Sequence, residues 1–167
     1  MSGGVTRLLV VSDTHLSLGA RLPDPVLELA DRADHVIHAG DFTGSDVLDT
    51  LEALAPVTAA CGNCDGLEIA ARVPERAMVE LAGVSVAVVH DAGAQSGRHE
   101  RLQEWFPGAR VVVYGHSHMP ELVESATGQL VLNPGSPVQR RRAPDHTVAW
   151  LELRDGEVVD AHLVHLD

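Results

Sequence analysis

Side chains that bind divalent metal ions recur along this sequence, each directly after a short apolar run. They are two aspartates, one asparagine and four histidines: Asp13, His15, Asp41, Asn63, His90, His116 and His118. Successive groups are 28, 22, 27 and 26 residues apart, close to the roughly 30 residues of a strand–helix–strand unit. Because the carboxyl ends of parallel strands share one edge of a sheet, where ligands bind, we expect these side chains to converge.

Each of these groups, taken alone, also has a purely structural interpretation. Asp13 and Asp41 are of the type that hydrogen bonds to nearby backbone in turns, and Asn63 is tolerated in the left-handed region. The Gly-His-Ser-His segment at 115–118 is harder to explain in that way, because two imidazoles two residues apart after an apolar strand favour a shared cation. Five such groups at strand-end spacing together favour a metal site.

The donor types narrow the identity of the ions. Carboxylate, amide and imidazole donors suit manganese, iron, nickel or zinc, and manganese is the ion that we expect first. Seven ligands exceed what one ion needs, so the sequence predicts two divalent ions with a carboxylate between them. The two carboxylates compensate only part of the four positive charges of two divalent ions. The site is therefore expected to attract a phosphate anion.

The elements that position these residues follow from hydrophobic patterning. Short, β-branched apolar runs predict strands at 5–11, 35–39, 57–61, 77–81, 84–90, 110–114, 121–125, 129–132, 147–153 and 157–166. Helices are expected after Asp24 and after Ser45, each taken as an N-cap, and from Arg98 to Phe106. An early strand–helix alternation followed by hairpins predicts an α/β fold of mixed α+β character, with helices covering mixed sheets in a single domain over 1–167.

Composition limits the partners of the chain. The 167 residues carry 12 Lys+Arg against 24 Asp+Glu, a formal net charge of −12. Without a basic excess to displace counterions, binding to nucleic acid or to an anionic membrane is not expected. The sequence shows neither a membrane-spanning apolar stretch nor a signal-peptide pattern at its start, and two cysteines make no disulfide framework. A cytoplasmic protein is the expectation.

The ordered motifs, together with Asn-Pro-Gly-Ser at 133–136, resemble those of the calcineurin-like metallophosphoesterase superfamily, in particular its small bacterial and archaeal branch of the YfcE type. The resemblance implies two β-sheets packed as a sandwich and flanked by helices in four layers. It also implies hydrolysis of phosphate esters, above all phosphodiesters, by a hydroxide bridging two ions. By motif, the first ion has the ligands Asp13, His15, Asp41 and His118. The second shares Asp41 and adds Asn63, His90 and His116.

Two positions depart from the pattern of the superfamily. Many members have a catalytic histidine directly after the asparagine, where this chain has Cys64, as the small branch commonly does. The chain also has His90-Asp91-Ala92 where this branch often has His-Gly-His. Asn63 and His90 are the predicted catalytic residues. Cys64 or Asp65 is the candidate residue for assisting departure of the leaving group. No strong acid is evident there, so activated esters are the preferred substrates.

Further residues are candidates for supporting roles. Arg140 and Arg141 belong to the basic run of the chain and are predicted to bind the substrate phosphate, since a guanidinium grips phosphate with two hydrogen bonds. A solvated loop is the alternative. Cys61 and Cys64 have the spacing of a redox pair or half a zinc site, but no second cysteine pair completes such a site. His38 is expected to pack near the ligands and orient them.

Two alternative functions remain. The same superfamily includes a retromer subunit that serves as a scaffold, so this chain is alternatively a catalytically weak or inactive scaffold of the same fold. A phosphomonoesterase or protein phosphatase is the other alternative, ranked lower because few residues lie outside the sheets to build a protein-binding groove. The expected partner is a small phosphate ester. A homodimer is an expectation from relatives alone.

Overall fold

The computed structural model describes residues 3–167, and within them ten strands form two five-stranded sheets. The strands are β1 (Thr6–Val11), β2 (His35–His38), β3 (Val57–Ala59), β4 (Arg76–Leu81), β5 (Val84–Val89), β6 (Val111–Val113), β7 (Glu121–Glu124), β8 (Leu130–Asn133), β9 (Thr147–Arg154) and β10 (Glu157–His165). The helices are α1 (Asp24–Arg32), α2 (Ser45–Leu54), α3 (Leu67–Ala70) and α4 (Arg98–Trp105). The order of the first sheet is β10-β9-β1-β2-β3, and that of the second is β4-β5-β6-β8-β7.

Parallel pairing in the first sheet places the ends of three strands side by side. Strand β1 pairs in parallel with β2, and β2 with β3, so that Val11 is opposite His38, which in turn is opposite Ala59. The amide N–H of Asp13 donates to the carbonyl of Gly40 at 2.9 Å, which extends the pairing beyond the strands. The loops after β1, β2 and β3 therefore leave the sheet at one edge.

The second sheet repeats this arrangement. Its three central strands β5, β6 and β8 are parallel, with Val88 opposite Val113 and Val113 opposite Leu132. Strands β4 and β7 are antiparallel edges. The segments after β5 and β6, which carry the remaining histidines of the predicted site, thus also lie at a common edge.

Three apolar clusters hold the layers together. The central cluster contains residues of both sheets, including Leu8 and Ile37 from the first and Val88 and Val113 from the second, all of them fully buried. A second cluster packs α1, α2 and α3 on the outer face of the first sheet, and a third packs α4 on the outer face of the second. Burial on both faces explains the continuous apolar runs of the central strands. The predicted four-layer sandwich is confirmed.

The local predictions differ from the structure mainly at helix starts. Asp24 and Ser45 are the first residues of their helices, and the N-caps are Pro23 and Gly44, neither of which makes a side-chain cap. Asp24 instead pairs with Arg21 at 2.9 Å. The predicted capping roles were wrong. Helix α3 was not predicted, because four residues are too few for a helical period to show.

Among residues 3–167, no helix combines the length and the apolar character that crossing a membrane requires.

Candidate metal centre

Two carboxylates and three imidazoles meet where the edges of the two sheets adjoin. Asp13 Oδ1 lies 3.4 Å from His118 Nε2, 3.6 Å from His15 Nε2 and 3.9 Å from His90 Nε2. Asp41 Oδ2 lies 3.3 Å from His15 Nε2 and 3.2 Å from His90 Nε2. Asp41 therefore stands between a histidine supplied by the first sheet and one supplied by the second.

Asn63 completes the outer half of the cluster. Its Oδ1 lies 2.9 Å from His90 Nε2 and 3.2 Å from His116 Nδ1. Asn63 and His116 are exposed, whereas Asp13 and His118 are fully buried. The structure thus brings all seven predicted ligands together, with a closed inner half and an outer half open to solvent.

The donor atoms of the inner half lack partners. Asp13 Oδ1, His15 Nε2 and His118 Nε2 are buried and have no hydrogen-bond partner among the described residues. An unsatisfied buried polar atom costs about 1–3 kcal/mol. Three such atoms lie within 4.8 Å of one another, and an oxygen with two nitrogens suits a divalent transition metal ion. The residues present therefore fit a metal ion.

Hydrogen bonds to the opposite ring nitrogens aim the imidazoles at the cluster. His90 Nδ1 donates to the carbonyl of Ala39 at 2.7 Å, and His118 Nδ1 donates to the carbonyl of Gln139. Each bond places the ring proton away from the site and leaves the Nε2 lone pair facing it. Such partners orient metal-binding histidines and increase their basicity.

The backbone of the ligands is strained. Five of the seven have positive φ, in the left-handed region that residues with a side chain rarely adopt: Asp13 at 57°, His15 at 40°, Asp41 at 59°, His116 at 71° and His118 at 61°. Each such residue costs of order 1 kcal/mol or more, and such strain collects at functional sites. Two residues of one Gly-His-Ser-His segment in this region indicate that the backbone is shaped by the site.

Mutual attraction keeps the carboxylates charged. Burial opposes ionisation of Asp13, but the neighbouring imidazoles of His118 and His15 outweigh it and hold the pKa of Asp13 well below its usual range. Burial likewise opposes ionisation of Asp41, yet the neighbouring imidazole of His90 lowers its pKa. For His90, burial disfavours the cation, but Asp41 and Asp13 raise its pKa. Two negative oxygens therefore face the cluster at neutral pH.

Asp65, predicted to assist the leaving group, is bonded to backbone N–H groups of two loops. Its Oδ2 accepts the amide N–H groups of Asp41 at 3.0 Å and Gly62 at 2.8 Å, and its Oδ1 accepts that of Thr43 at 3.0 Å. With both oxygens occupied by backbone donors, Asp65 ties the loops after β2 and β3 together. These bonds support a positioning role for Asp65, and its leaving-group role stays a prediction.

We expect Asp65→Asn to weaken manganese binding about 10–100-fold, the usual effect of losing a partner that orients a metal ligand. The amide nitrogen of asparagine cannot accept the N–H bonds that hold Asp41. Isothermal titration with Mn²⁺ measures the effect. Asp155→Asn is the control, because Asp155 also accepts a backbone N–H, from Gly3 at 3.0 Å, but far from the cluster. Equal affinities of the two variants would contradict the positioning role.

His38 packs against the loop after β2, as predicted. It is fully buried and stacks on Phe42 with 3.6 Å between ring centroids. Its Nδ1 accepts the amide N–H of Gly40 at 3.0 Å, and its Nε2 lies 3.3 Å from Thr14 Oγ1. Burial lowers the pKa of His38 to about 3, so the ring stays neutral and its Nδ1 remains an acceptor.

This burial predicts a pH-dependent stability. Between pH 6.5 and 3 the unfolded chain protonates His38 and the folded chain does not, so protonation favours unfolding as the pH falls. In EDTA, His38 should lower the free energy of unfolding by about 2 kcal/mol from pH 7.5 to pH 5. Urea titrations of His38→Gln should lack this component. The exposed His162 offers the control His162→Gln, which should keep it, and an equal loss in all three proteins would refute the prediction.

The Asn-Pro-Gly-Ser segment connects the two halves of the site. Ser136 Oγ donates to the carbonyl of Asp13 at 2.7 Å and accepts the amide N–H of Gln139 at 2.8 Å. Asn133 Nδ2 donates to the carbonyl of Gly115 at 3.2 Å. The sequence pattern indicated this segment only as part of the family motif. Its residue types gave no signal for the role of holding the ligand loops.

The two predicted phosphate-binding arginines are placed differently. Arg141 donates to the carbonyl of His116 at 3.3 Å and is exposed at the outer half of the cluster. Arg140 donates to the carbonyl of Ala143 at 2.9 Å, within its own turn, and interacts with Asp167. The guanidinium of Arg140 is thus engaged within its own turn, and its phosphate-binding role stays a prediction.

Cys64 lies at the cluster and Cys61 beside it. The amide N–H of Cys64 donates to Asp41 Oδ1 at 2.8 Å, and the residue is exposed. Both cysteines are free, and Cys61 contacts the carbonyl of Gly62 at 3.7 Å. Burial and the nearby Asp41 carboxylate raise the pKa of Cys64, so its thiol is protonated in the metal-free protein.

A cavity of about 300 Å³ opens beside the outer half, and its lining includes Asn63, His90, Glu75, Arg76 and Asp91. Its size admits a small organic group next to the cluster. Its charged border indicates a polar occupant.

Comparison with known proteins agrees with the fold and the donor cluster. Residues 7–156 match the model of the calcineurin-like phosphoesterase superfamily domain. The chain belongs to this superfamily, and its predicted membership is confirmed. It is 33% identical over 161 residues to a probable metallophosphoesterase of Methanothermobacter thermautotrophicus, covering 93% of this chain and 90% of the relative.

Two solved structures share the fold at lower identity. One is YfcE, a phosphoesterase from E. coli, with a TM-score of 0.64 and 21% identity over 97% of this chain and 100% of the other. The second is Vacuolar Protein Sorting 29 from Cryptosporidium parvum, with a TM-score of 0.77 and 20% identity over 98% of each chain. The same fold therefore occurs in a phosphoesterase and in a protein named for vacuolar sorting.

Proposed function

We propose that this protein is a metal-dependent phosphodiesterase acting on small phosphate esters at a centre of two divalent ions. The observation that carries the proposal is the convergence of the partnerless, buried atoms Asp13 Oδ1, His15 Nε2 and His118 Nε2. Divalent ions bound at the cluster supply Lewis-acid polarisation of the phosphoryl oxygens and activation of a water nucleophile. Manganese is the first ion to test.

The residues divide into two ligand sets that share one carboxylate. Asp13, His15 and His118 form the inner set with Asp41, and Asn63, His90 and His116 form the outer set with the same Asp41. Sharing is supported by the position of Asp41 Oδ2, 3.3 Å from His15 Nε2 and 3.2 Å from His90 Nε2. The open outer set admits the phosphate, and the closed inner set excludes bulk water from one side.

Arg141 is proposed to hold the non-reacting phosphate oxygens. One guanidinium nitrogen of Arg141 donates to the backbone carbonyl of His116 at 3.3 Å. The other guanidinium N–H groups are left to bind the anion. The cavity beside Asn63 and His90 has room for the leaving group. Since Asp65 is engaged by backbone and the Cys64 thiol is a weak acid, neither residue offers a strong acid to the leaving oxygen, and activated esters should react fastest.

Hydrolysis of bis-p-nitrophenyl phosphate tests the proposal. With Mn²⁺, we expect turnover that exceeds the rate on p-nitrophenyl phosphate and that EDTA abolishes. Arg141→Ala should raise KM for the diester about tenfold, because one charge-assisted contact is worth about 1.5 kcal/mol. Arg154→Ala, at the end of β9 away from the cluster, is the matched control. Faster monoester hydrolysis would favour a phosphomonoesterase, and no turnover with bound metal would refute an esterase.

A binding scaffold is the second candidate, favoured by the fold that the chain shares with Vacuolar Protein Sorting 29. The intact set of seven donors supports the esterase over the scaffold. A scaffold predicts metal binding without turnover on either nitrophenyl ester.

A further inference from the structure

The thiol of Cys64 faces the cluster without belonging to either ligand set. A nitrogen of His15, an oxygen of Asp41 and the sulfur of Cys64 all lie within 4.8 Å of one another. This group differs from the two other clusters of candidate ligands, which contain only carboxylates and imidazoles. A soft sulfur donor therefore stands at the point where the inner and outer halves meet.

Two contacts hold the sulfur in this place. The amide N–H of Cys64 donates to Asp41 Oδ1 at 2.8 Å, which fixes its backbone on a carboxylate of the cluster. Asn63 Nδ2 donates to the Cys64 sulfur at 3.5 Å, while Oδ1 of the same amide faces His90. The residue is thus anchored by two groups that themselves belong to the site.

A second observation points to a ligand at this position. The side chain of His15 is only 9% exposed, and its Nε2 has no hydrogen-bond partner among the described residues although it lies 3.3 Å from Asp41 Oδ2. A metal ion that satisfies this nitrogen and the Asp41 oxygen has the Cys64 sulfur within reach. Thiolate is a soft ligand, which favours zinc, cadmium or iron over manganese.

We propose that Cys64 is a thiolate ligand of the ion bound beside His15 and Asp41, and that it raises the affinity for thiophilic divalent ions relative to manganese. The proposal rests on the metal centre of the proposed function. On binding, the S–H bond breaks, the proton passes to water, and a sulfur–metal bond forms. The donor set thereby gains one negative charge beyond Asp13 and Asp41.

Cobalt substitution tests this assignment by absorption. Wild-type protein and the control variant Cys61→Ser should show a near-ultraviolet sulfur-to-cobalt charge-transfer band, and Cys64→Ser should lack it while keeping the visible bands of bound cobalt. The affinity for Cd²⁺ relative to Mn²⁺ should fall about tenfold or more in Cys64→Ser, because the substitution removes the soft thiolate that Cd²⁺ prefers. A band that persists in Cys64→Ser, or visible bands without charge transfer in the wild type, would overturn the assignment.

Alkylation gives a test that does not depend on the folding of Cys64→Ser. In the Cys61→Ser variant, bound Cd²⁺ should slow the reaction of Cys64 with iodoacetamide about tenfold or more, because a coordinated sulfur is a poorer nucleophile. Equal rates with and without Cd²⁺ would refute ligation. Diester hydrolysis distinguishes failure of this inference from failure of the proposed function. Turnover without sulfur ligation would contradict the assignment of Cys64 alone. If the protein neither bound metal nor hydrolysed the diester, the proposed function would be contradicted too.

Discussion

Replacement of Asp41 by alanine is expected to remove both metal binding and phosphodiester hydrolysis. Asp41 Oδ2 lies 3.3 Å from His15 Nε2 and 3.2 Å from His90 Nε2, nearer to both than Asp13 Oδ1 at 3.6 and 3.9 Å. Its loss takes a ligand from both proposed ion positions and removes one of the two carboxylate charges that face the cluster. We expect kcat/KM for the diester to fall about 10²–10³-fold or more, at least the effect of removing one transition-state-stabilising group.

Metal content and rate should be measured on the same preparations of Asp41→Ala. Asp31→Ala is the control, because Asp31 is an exposed aspartate on α1 that contacts none of the donors. Circular dichroism and thermal unfolding separate loss of the site from loss of the fold. Hydrolysis at the wild-type rate in Asp41→Ala, or an unchanged content of two ions, would rule out a shared carboxylate.

Addition of one methyl group at Gly62 should also inactivate the protein. A β-carbon at Gly62 would lie 2.2 Å from Asp41 Oδ1 and 2.3 Å from the amide nitrogen of Asp41. The amide N–H of Asp41 donates to Asp65 Oδ2 at 3.0 Å, and Asp41 Oδ1 accepts the amide N–H of Cys64 at 2.8 Å, so neither atom can move without breaking a hydrogen bond that joins the two loops. We expect Gly62→Ala to displace Asp41, to lower kcat/KM about 10²-fold and to destabilise the fold by about 1–3 kcal/mol.

Gly66→Ala is the matched control for this variant. Gly66 lies in the same loop, but a β-carbon there meets no atom within 4 Å, and its φ of −86° is open to alanine. This variant should keep wild-type metal affinity and activity. Activity in Gly62→Ala equal to that of Gly66→Ala would show that the close approach of Gly62 to Asp41 is dispensable.

Much of the fold was predictable from the sequence because its strands are short and apolar. The strands that contain Val86, Val88, Val111 and Val113 are buried between layers, and these four valines are fully buried. Apolar residues in such strands do not alternate with polar ones, so the β-branched runs can be recognised directly in the sequence. The helix starts were not predictable in the same way. Ser45 has the side chain of an N-cap, yet its hydroxyl bonds Glu68 at 2.7 Å, a residue that only the folded chain brings near.

The residues of the candidate site could be predicted from the sequence, but the contacts that hold them in place were harder to predict. Spacing and residue type indicated which side chains converge, because parallel strands must end at one edge. The same reasoning placed Asp65 and Arg140 in catalytic or binding roles and did not foresee their contacts with the backbone. Asp65 faces two backbone N–H groups of the loop after β2 and one of its own loop, and Arg140 faces its own turn. Neither contact leaves a pattern in the local sequence.

The sequence alone therefore determined the class of fold and the superfamily and predicted the seven donors, because each of these depends on residue type and on spacing along the chain. Tertiary structure decided which atoms face one another, which loops Asp65 and Ser136 hold, and that the Cys64 sulfur meets His15 and Asp41. The physical reason is that these contacts join segments far apart in the chain. Those of Asp65 and Ser136 use backbone groups that do not distinguish one residue from another, and the Cys64 side chain comes near His15 and Asp41 only in the folded protein. Their partners are selected only when the two sheets pack and the loops take up their strained conformations.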